Sequence, residues 1–312
     1  MSKAVFLGID TSCYTTSCAA VDIFGNILAD ERIQLYVKTG SRGLRQSEAV
    51  FQHVRNFPSA FDRLINQLKD CSTKACCVSK APSDGEDSYM PVFEAGKAFA
   101  ESIASALNIP CFYTTHQRGH MQAALLNDNN IEKSYVAIHI SGGTSDFLLV
   151  NENKIELFAK SLDLHFGQLV DRTAVALGLP FPGGKHLEKL ALGKTALGRY
   201  TVTVKQGGPC LSGAEKQIFD DIKAESISKE QIAIEVYDCL ARSLIKTLEN
   251  SSVDSNTPVL IFGGVASSNI LRAMLNQKSG FKFRFAKNHL SSDNAVGVAI
   301  IGLNNFIKEA NI

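Results

Sequence analysis

Residues 136–150 read VAIHISGGTSDFLLV, in which two apolar runs flank a turn of small and hydroxyl-bearing residues. Residues 6–21, FLGIDTSCYTTSCAAV, follow the same plan about 130 residues earlier. An apolar strand, a small-residue turn and a second apolar strand are typical of a β-hairpin. Each hairpin leads into a further strand, at residues 26–35 and 154–162. The chain therefore looks internally duplicated.

The rest of the chain alternates helical and strand patterns, which predicts an α/β fold. The predicted elements are helices near 48–68, 92–107, 168–177 and 229–249, a helix beginning near Asp293, and strands at 111–114, 259–262 and 281–285. No linker rich in proline, glycine or serine separates the halves. We therefore place the boundary near residue 130, with residues 1–130 and 131–312 as two related halves and the last helix able to pack on the first half.

Composition and charge limit the classes of function. The chain has 312 residues, 45% of them hydrophobic, enough for about two domains with large cores. Lysine and arginine number 32 against 31 acidic residues, so no global field attracts a polyanion. No apolar run approaches the roughly 18 residues of a membrane span. We expect a cytoplasmic protein whose eight cysteines are reduced and buried.

The second hairpin turn is a candidate phosphate site. Backbone N–H groups and hydroxyls in such turns bind phosphate oxygens, and glycine permits close approach. The strand at 259–262 runs into Gly263 and Gly264, which fits a shelf for a purine or ribose, with Asn269 at the start of the next helix. The alternative is that these are only tight turns. The candidate residues of the hairpin turn are Ile140, Ser141, Gly142, Gly143 and Thr144.

Two histidines have the spacing of metal ligands. His116 and His120 are four residues apart, so they project from one helical face and can bind one ion. Zinc or iron needs a further ligand, which Asp293 could supply. His139, at the end of a strand two residues before Ser141, could also point to this place. Under the alternative reading the histidines are surface groups and Asp293 is a helix cap.

The other histidines show no paired spacing, and we interpret them as structural: His53, His165, His186 and His289. No Ser-His-Asp order or strained nucleophile turn is evident, which argues against covalent hydrolysis. His116 is not followed by the glutamate found in His-Glu-x-x-His metallopeptidases. Peptidase activity is therefore the function that we least expect.

Taken together, these motifs resemble the universal tRNA threonylcarbamoyltransferase family, called TsaD in bacteria and formerly Gcp or O-sialoglycoprotein endopeptidase. The matches follow the family order from residue 5 to about residue 302. The matching segments are LGIDTSC at 7–13, His116-x-x-x-His120, ISGGT at 140–144, PGG at 182–184, GGVASSN at 263–269 and SDNA at 292–295.

The resemblance implies an actin-like ATPase fold, similar to Hsp70 and sugar kinases, with a nucleotide cleft between duplicated halves. It implies transfer of threonylcarbamoyl from threonylcarbamoyl-adenylate to N6 of the adenosine beside the tRNA anticodon. His116, His120 and Asp293 would bind Fe or Zn, with His139 as a further ligand where some members have tyrosine. ATP or the adenylate, with Mg as a further ion, would lie mostly against the C-terminal half. The residues implied for its nucleoside part are Asp171, Gly184, Glu188 and Asn269.

The chain also departs from the family pattern. Tyr14 replaces a usual acidic residue, and Asp10 stands where the family has glutamate. The loop at 81–91 lacks the usual Gly-Pro-Gly pattern, and residues 164–166 replace a run of acidic and small residues. These departures suggest a diverged paralogue with a changed substrate or partner.

Two other functions stay open: a non-catalytic nucleotide-binding scaffold similar to TsaB, and a carbamoyltransferase or kinase acting on another acceptor. The near-neutral charge suggests that tRNA is bound through TsaB-like and TsaE-like partner proteins. A homodimer or heterodimer is compatible with the sequence. No membrane partner is expected.

Overall fold

The computed structural model divides the chain into two compact units. Unit 1 comprises Met1–Asn127 and Ser292–Ile312, and unit 2 comprises Asp128–Ser291. The boundary expected near residue 130 lies outside the described residues. The described residues are 3–38, 44–85, 88–126, 134–151 and 154–310.

Unit 1 is a five-stranded mixed sheet with helices. Strand β1 is central, pairing antiparallel with β2 and parallel with β4, and the order is β3-β2-β1-β4-β5. Strands β2 and β3 are antiparallel, while β4 and β5 are parallel. The described elements are β1 (Lys3–Thr11), β2 (Thr15–Asp22), β3 (Ile27–Gln34), α1 (Gln46–Gln67), β4 (Cys71–Ser79), α2 (Val92–Leu107), β5 (Cys111–Thr114), α3 (His116–Ala124) and α10 (Val296–Ala310).

Helix α1 packs on this sheet through one face, since its buried residues recur every three or four positions. These residues are Ala49, His53, Phe57, Ala60 and Leu64. Helix α10 contacts α3, β1 and β4, and its first two turns are almost entirely buried. The end of the chain thus forms part of the core of unit 1.

Unit 2 repeats the strand arrangement of unit 1 and adds further helices and a two-stranded ribbon. Its sheet order is β12-β11-β6-β7-β8, with β6-β7-β8 antiparallel and β6-β11-β12 parallel. The described elements are β6 (Ser134–Ile140), β7 (Ser145–Asn151), β8 (Lys154–Lys160), α4 (Phe166–Ala176), α5 (Gly184–Ala191), β9 (Thr203–Lys205), β10 (Gly208–Cys210), α6 (Ser212–Ala224), α7 (Lys229–Glu249), β11 (Val259–Phe262), α8 (Asn269–Lys278), β12 (Phe283–Phe285) and α9 (Asn288–Ser291).

The matching strand orders confirm the predicted duplication and the α/β class. In each sheet an antiparallel meander of three strands continues into two parallel strands. Helix α7 is buried on nearly all sides in the main core of unit 2. The predicted bounds of α2, β5, α7 and β11 agree with the structure.

Other elements differ from the prediction. Strand β4 was not predicted, because its first half, CSTK, carries no apolar run, and α5, α6 and the β9-β10 ribbon were not predicted either. Helix α10 begins at Val296, whose N–H donates to Asn294 Oδ1 at 3.0 Å, rather than near Asp293. Four of the eight free cysteines are only partly buried: Cys13, Cys71, Cys111 and Cys210. Within the described residues, none of the helices combines the length and apolarity that crossing a membrane requires.

Candidate functional site

Helix α3 presents both histidines of the predicted pair. Thr115 caps its N-terminus, accepting from the N–H of Arg118 at 3.4 Å. The rings of His116 and His120 meet edge to face with centroids 4.5 Å apart. His120 is buried and His116 half-buried, so the cluster remains accessible from one side.

Asp293 reaches this pair from the segment before α10. Its Oδ1 lies 3.3 Å from His120 Nε2 and 3.6 Å from His116 Nε2, and the two Nε2 atoms are 3.1 Å apart. A Cβ on Gly297 would lie only 1.9 Å from the carbonyl oxygen of Gly119. Helices α3 and α10 therefore approach at a distance that only glycine allows, and this approach brings Asp293 to the histidines within unit 1.

Asp10 orients His116 from behind. This carboxylate at the end of β1 is fully buried, and both of its oxygens lie 3.0 Å from His116 Nδ1. Since a carboxylate accepts, Nδ1 carries the proton and Nε2 faces His120 and Asp293. A carboxylate behind an imidazole in this way is the usual outer-shell partner of a metal-binding histidine.

The carboxylates also control protonation. Burial alone lowers the pKa of His116, but Asp10 and Asp293 raise it well above its ordinary value. Burial and the charge of His116 lower the pKa of His120. Burial would raise the pKa of Asp293, but the two imidazoles hold it well below its usual range. Without a metal ion, a proton on His116 is therefore stabilised between the two carboxylates.

The donor set fits Zn or Fe. The donor atoms of His116, His120 and Asp293 all lie within 4.8 Å of one another. Tetrahedral bonds of about 2.1 Å place neighbouring donors about 3.4 Å apart, close to the 3.1, 3.3 and 3.6 Å separations here. Two imidazoles and one carboxylate suit Zn or Fe better than Mg, which prefers oxygen ligands.

The second hairpin turn, in unit 2, is held by its own serine. Ser141 Oγ accepts from the N–H groups of Gly143 at 3.3 Å and Thr144 at 3.1 Å. The carbonyl oxygen of Ser141 accepts from Gly167 N–H at 3.0 Å. Apart from the adjoining residues, no atom of the described part of the chain lies within 4 Å of the Cβ positions of Gly142 and Gly143, so the turn has open space beside its backbone.

Asp171 and Glu188 anchor loops in unit 2. Asp171 Oδ1 accepts from the N–H of Gly183 at 2.7 Å, just before Gly184 begins α5, and burial raises the pKa of Asp171. Glu188 Oε1 accepts from Ser268 Oγ at 2.9 Å and from Ile270 N–H at 3.1 Å. Asp171 thus fixes the residue before Gly184, and Glu188 fixes the residues on either side of Asn269.

Gly263 joins the end of β11 to the second turn. Its φ is +97°, and an added Cβ would lie 2.3 Å from the carbonyl oxygen of Ile140. Glycine is therefore required where the chain turns from β11 towards α8. Among the described residues other than its chain neighbours, none has an atom within 4 Å of the Cβ position of Gly264, and Asn269 is the first residue of α8.

His139 belongs to unit 2, whereas His116, His120 and Asp293 belong to unit 1. It is buried on β6, with its ring stacked on Phe262 at a centroid distance of 5.0 Å. Its role as a further metal ligand stays a prediction.

Comparison with known proteins assigns the chain to a family. The sequence profile described as TsaD, tRNA N6-adenosine threonylcarbamoyltransferase, matches residues 26–300. The chain belongs to the TsaD family. The resemblance inferred from the motifs is thereby confirmed.

Curated TsaD relatives cover nearly the whole chain. A tRNA N6-adenosine threonylcarbamoyltransferase from Thermosipho melanesiensis is 28% identical over 96% of this chain and 94% of its own. One of the same name from Chlamydia muridarum is 27% identical, covering 95% of this chain and 91% of its own. Identity at this level accords with a diverged TsaD sequence.

Solved structures show the actin-like fold. Component A of the (R)-2-hydroxyglutaryl-CoA dehydratase of Acidaminococcus fermentans aligns with a TM-score of 0.61 at 14% identity, covering 97% of this chain and 99% of that one. HypF of T. kodakarensis aligns with a TM-score of 0.62 at 14% identity, covering 99% of this chain and 48% of that one. The predicted fold class of this TsaD-family chain is confirmed.

Two residues around the TsaD-family motifs, Asp10 and Ser12, were not assigned a role from the sequence. Asp10 was noted only as a replacement for glutamate, although an acidic residue ending a buried strand requires a partner. Ser12 was assigned no separate role, yet its Oγ contacts Asp293 Oδ2. His53 was interpreted as structural, and its ring does hold the first turn through the carbonyl oxygen of Ser12 at 2.8 Å.

Proposed function

We propose that this chain transfers a threonylcarbamoyl group from threonylcarbamoyl-adenylate to N6 of the adenosine next to the tRNA anticodon, assisted by one metal ion. The observation that carries the proposal is the convergence of His116, His120 and Asp293 in a chain of the TsaD family. A scaffold of the TsaB type has no need of such a donor set, so we favour the enzyme.

We propose that His116, His120 and Asp293 hold Fe or Zn, with His139 as a further candidate. A bound ion supplies Lewis-acid polarisation of a carbonyl oxygen. Asp10 keeps His116 Nδ1 protonated, so Nε2 is the coordinating atom. Because AMP is a good leaving group, the chemistry needs no protein nucleophile.

We propose that the turn at residues 140–144 receives the phosphate of the adenylate or of ATP, with Mg as a further ion for the triphosphate. Support comes from the open space at Gly142 and Gly143. We propose that Asp171, Gly184, Glu188 and Asn269 bind the nucleoside part, and the hydrogen bonds of Asp171 and Glu188 next to Gly184 and Asn269 support this. Gly263 and Gly264 would form the shelf beneath the base or ribose.

Binding of the tRNA acceptor is expected to require partner proteins. A net charge of +1 provides little non-specific attraction to tRNA, whose binding depends on neutralising phosphates. We propose TsaB-like and TsaE-like partners in the cytoplasm, with a dimer as the assembly. Tyr14 stands in the first turn where the family has an acidic residue, and it is 39% exposed. Because of this difference, transfer to another acceptor is the second candidate function.

A reconstituted assay tests the function. The metal-loaded chain is incubated with threonylcarbamoyl-adenylate and unmodified tRNA, with and without candidate partners, and nucleosides are analysed by mass spectrometry. We expect threonylcarbamoyladenosine only with the partners, and none with His120→Ala. Absence of the modified nucleoside under all conditions would contradict transfer to tRNA. Full activity without any partner would contradict the partner requirement.

Replacing Gly143 by valine tests the phosphate site. The branched side chain would fill the space beside the turn, so we expect adenine nucleotide binding, measured by calorimetry, to be abolished. Gly280→Val is the control, because Gly280 is exposed and also has nothing within 4 Å of its Cβ position. Unchanged affinity in a folded Gly143→Val variant would exclude the assigned site.

A further inference from the structure

The two duplicated hairpin turns share one backbone pattern. In the first, Ser12 N–H donates to the Thr15 carbonyl oxygen at 3.1 Å, and Thr15 N–H donates to Ser12 Oγ at 3.1 Å. In the second, Ser141 N–H donates to the Thr144 carbonyl oxygen at 2.8 Å, and Thr144 N–H donates to Ser141 Oγ at 3.1 Å. The two serines are therefore structural counterparts.

The surroundings of the two serines differ. Ser12 is only 3% exposed, and its hydroxyl donates to Asp293 Oδ2. Its turn continues with Cys13 and Tyr14, where the second turn has Gly142 and Gly143 and open space. The hydroxyl of the first turn is therefore directed at a carboxylate, whereas the second turn is the candidate phosphate site.

A buried hydrogen-bond chain fixes Ser12 in turn. His53 Nε2 lies 2.8 Å from the Ser12 carbonyl oxygen, and His53 Nδ1 lies 2.8 Å from Thr16 Oγ1. Since a carbonyl oxygen only accepts, Nε2 carries the proton and Nδ1 accepts from the threonine hydroxyl. Helix α1 thereby holds the first turn, and the turn holds Asp293.

We propose that Ser12 is a positioning residue of the metal site and that the first turn has diverged from its duplicate into an outer coordination shell. The inference rests on the metal site of the proposed function. Ser12 engages Asp293 Oδ2, which leaves Oδ1 as the oxygen directed at the Nε2 atoms of His116 and His120. The carboxylate is thus fixed for coordination through one oxygen. Asp10, in β1, likewise orients His116 by accepting a hydrogen bond from its Nδ1.

Metal affinity tests this role independently of transferase activity. Zn²⁺ binding is measured by competition with a chromophoric chelator, and the Co²⁺ form by its visible absorption spectrum. For Ser12→Ala we expect binding about 10–100-fold weaker, the range typical of lost outer-shell partners, and an altered Co²⁺ spectrum as Asp293 gains freedom. Ser141→Ala removes the counterpart hydroxyl and the same kind of turn bond, and its Zn²⁺ affinity should equal that of the wild type.

A second pair of variants guards against a folding defect in Ser12→Ala. Ser12→Thr and Ser12→Val have the same shape and differ in the hydroxyl, so threonine should retain tighter Zn²⁺ binding than valine by a similar factor. Equal affinities within this pair, or wild-type affinity in folded Ser12→Ala, would overturn the positioning role while leaving the metal site intact. Failure of the wild type itself to bind Zn²⁺, Fe²⁺ or Co²⁺ would overturn the metal site and this inference together.

Discussion

Replacing Gly297 by alanine tests whether the close approach of α10 to α3 assembles the metal ligands. The new Cβ would lie 1.9 Å from the carbonyl oxygen of Gly119 and 2.7 Å from the backbone nitrogen of Ala123. Both are backbone atoms, so no side-chain rotation relieves the clash. Helix α10 must move away from α3, carrying Asp293 with it.

The size of the movement follows from the contact. Cβ atoms essentially never come within 3.0 Å of another heavy atom, so the 1.9 Å contact requires the helices to separate by about 1.1 Å. The same movement would stretch the 3.3 Å between Asp293 Oδ1 and His120 Nε2 to as much as about 4.4 Å, well beyond the roughly 3.4 Å that suits one tetrahedral ion. Overpacking of this kind destabilises a protein by about 1–3 kcal/mol.

Two measurements on the purified variant check the prediction. Denaturant unfolding without added metal should give a free energy of unfolding lower by about 1–3 kcal/mol, and Zn²⁺ affinity should fall at least about tenfold, although every ligand is unchanged. Gly213→Ala in α6 is the control, since its Cβ meets nothing within 4 Å. It should stabilise the protein by about 0.4–1 kcal/mol and leave Zn²⁺ binding unaltered. Wild-type stability together with wild-type Zn²⁺ affinity in Gly297→Ala would refute the reasoning.

Two further predictions concern the ligands and the pH dependence of stability. Elemental analysis should find little Fe or Zn in His120→Ala and Asp293→Ala and a smaller loss in His139→Ala, with folding retained; stoichiometric metal in His120→Ala would exclude the site. Burial raises the pKa of Asp163, but hydrogen bonds from Ser212 and neighbouring backbone N–H groups hold it below its usual value. Its contribution to stability should therefore be complete at neutral pH and disappear as the pH falls from about 4 through the lower folded-state pKa. Calorimetric melting of wild type and Asp163→Asn should converge over this range, and a constant difference down to about pH 2 would contradict the assignment.

Much of the fold was predictable because its signals are local. Two hairpins with largely apolar strands around a small-residue turn marked the duplication, and helical sequence patterns marked α2 and α7. Strand β4 was missed because its outer half is polar, and α10 was predicted to begin too early because Asp293 resembles a cap in sequence. The side chain of Asp293 instead contacts Ser12 and the two histidines, while Asn294 bonds the first N–H of the helix.

The sequence alone determined the donor types, since two histidines four residues apart share one face of any helix. It also determined the family, because the ordered motifs span nearly the whole chain. Only the tertiary structure decided what surrounds the donors, because those contacts join residues distant in the chain. Asp10 meets His116 across 106 residues, and Ser12 meets Asp293 across 281. Such contacts depend on β1, α3 and α10 packing so closely that only glycine fits between their backbones. No local sequence pattern encodes which backbone atoms meet at these close approaches.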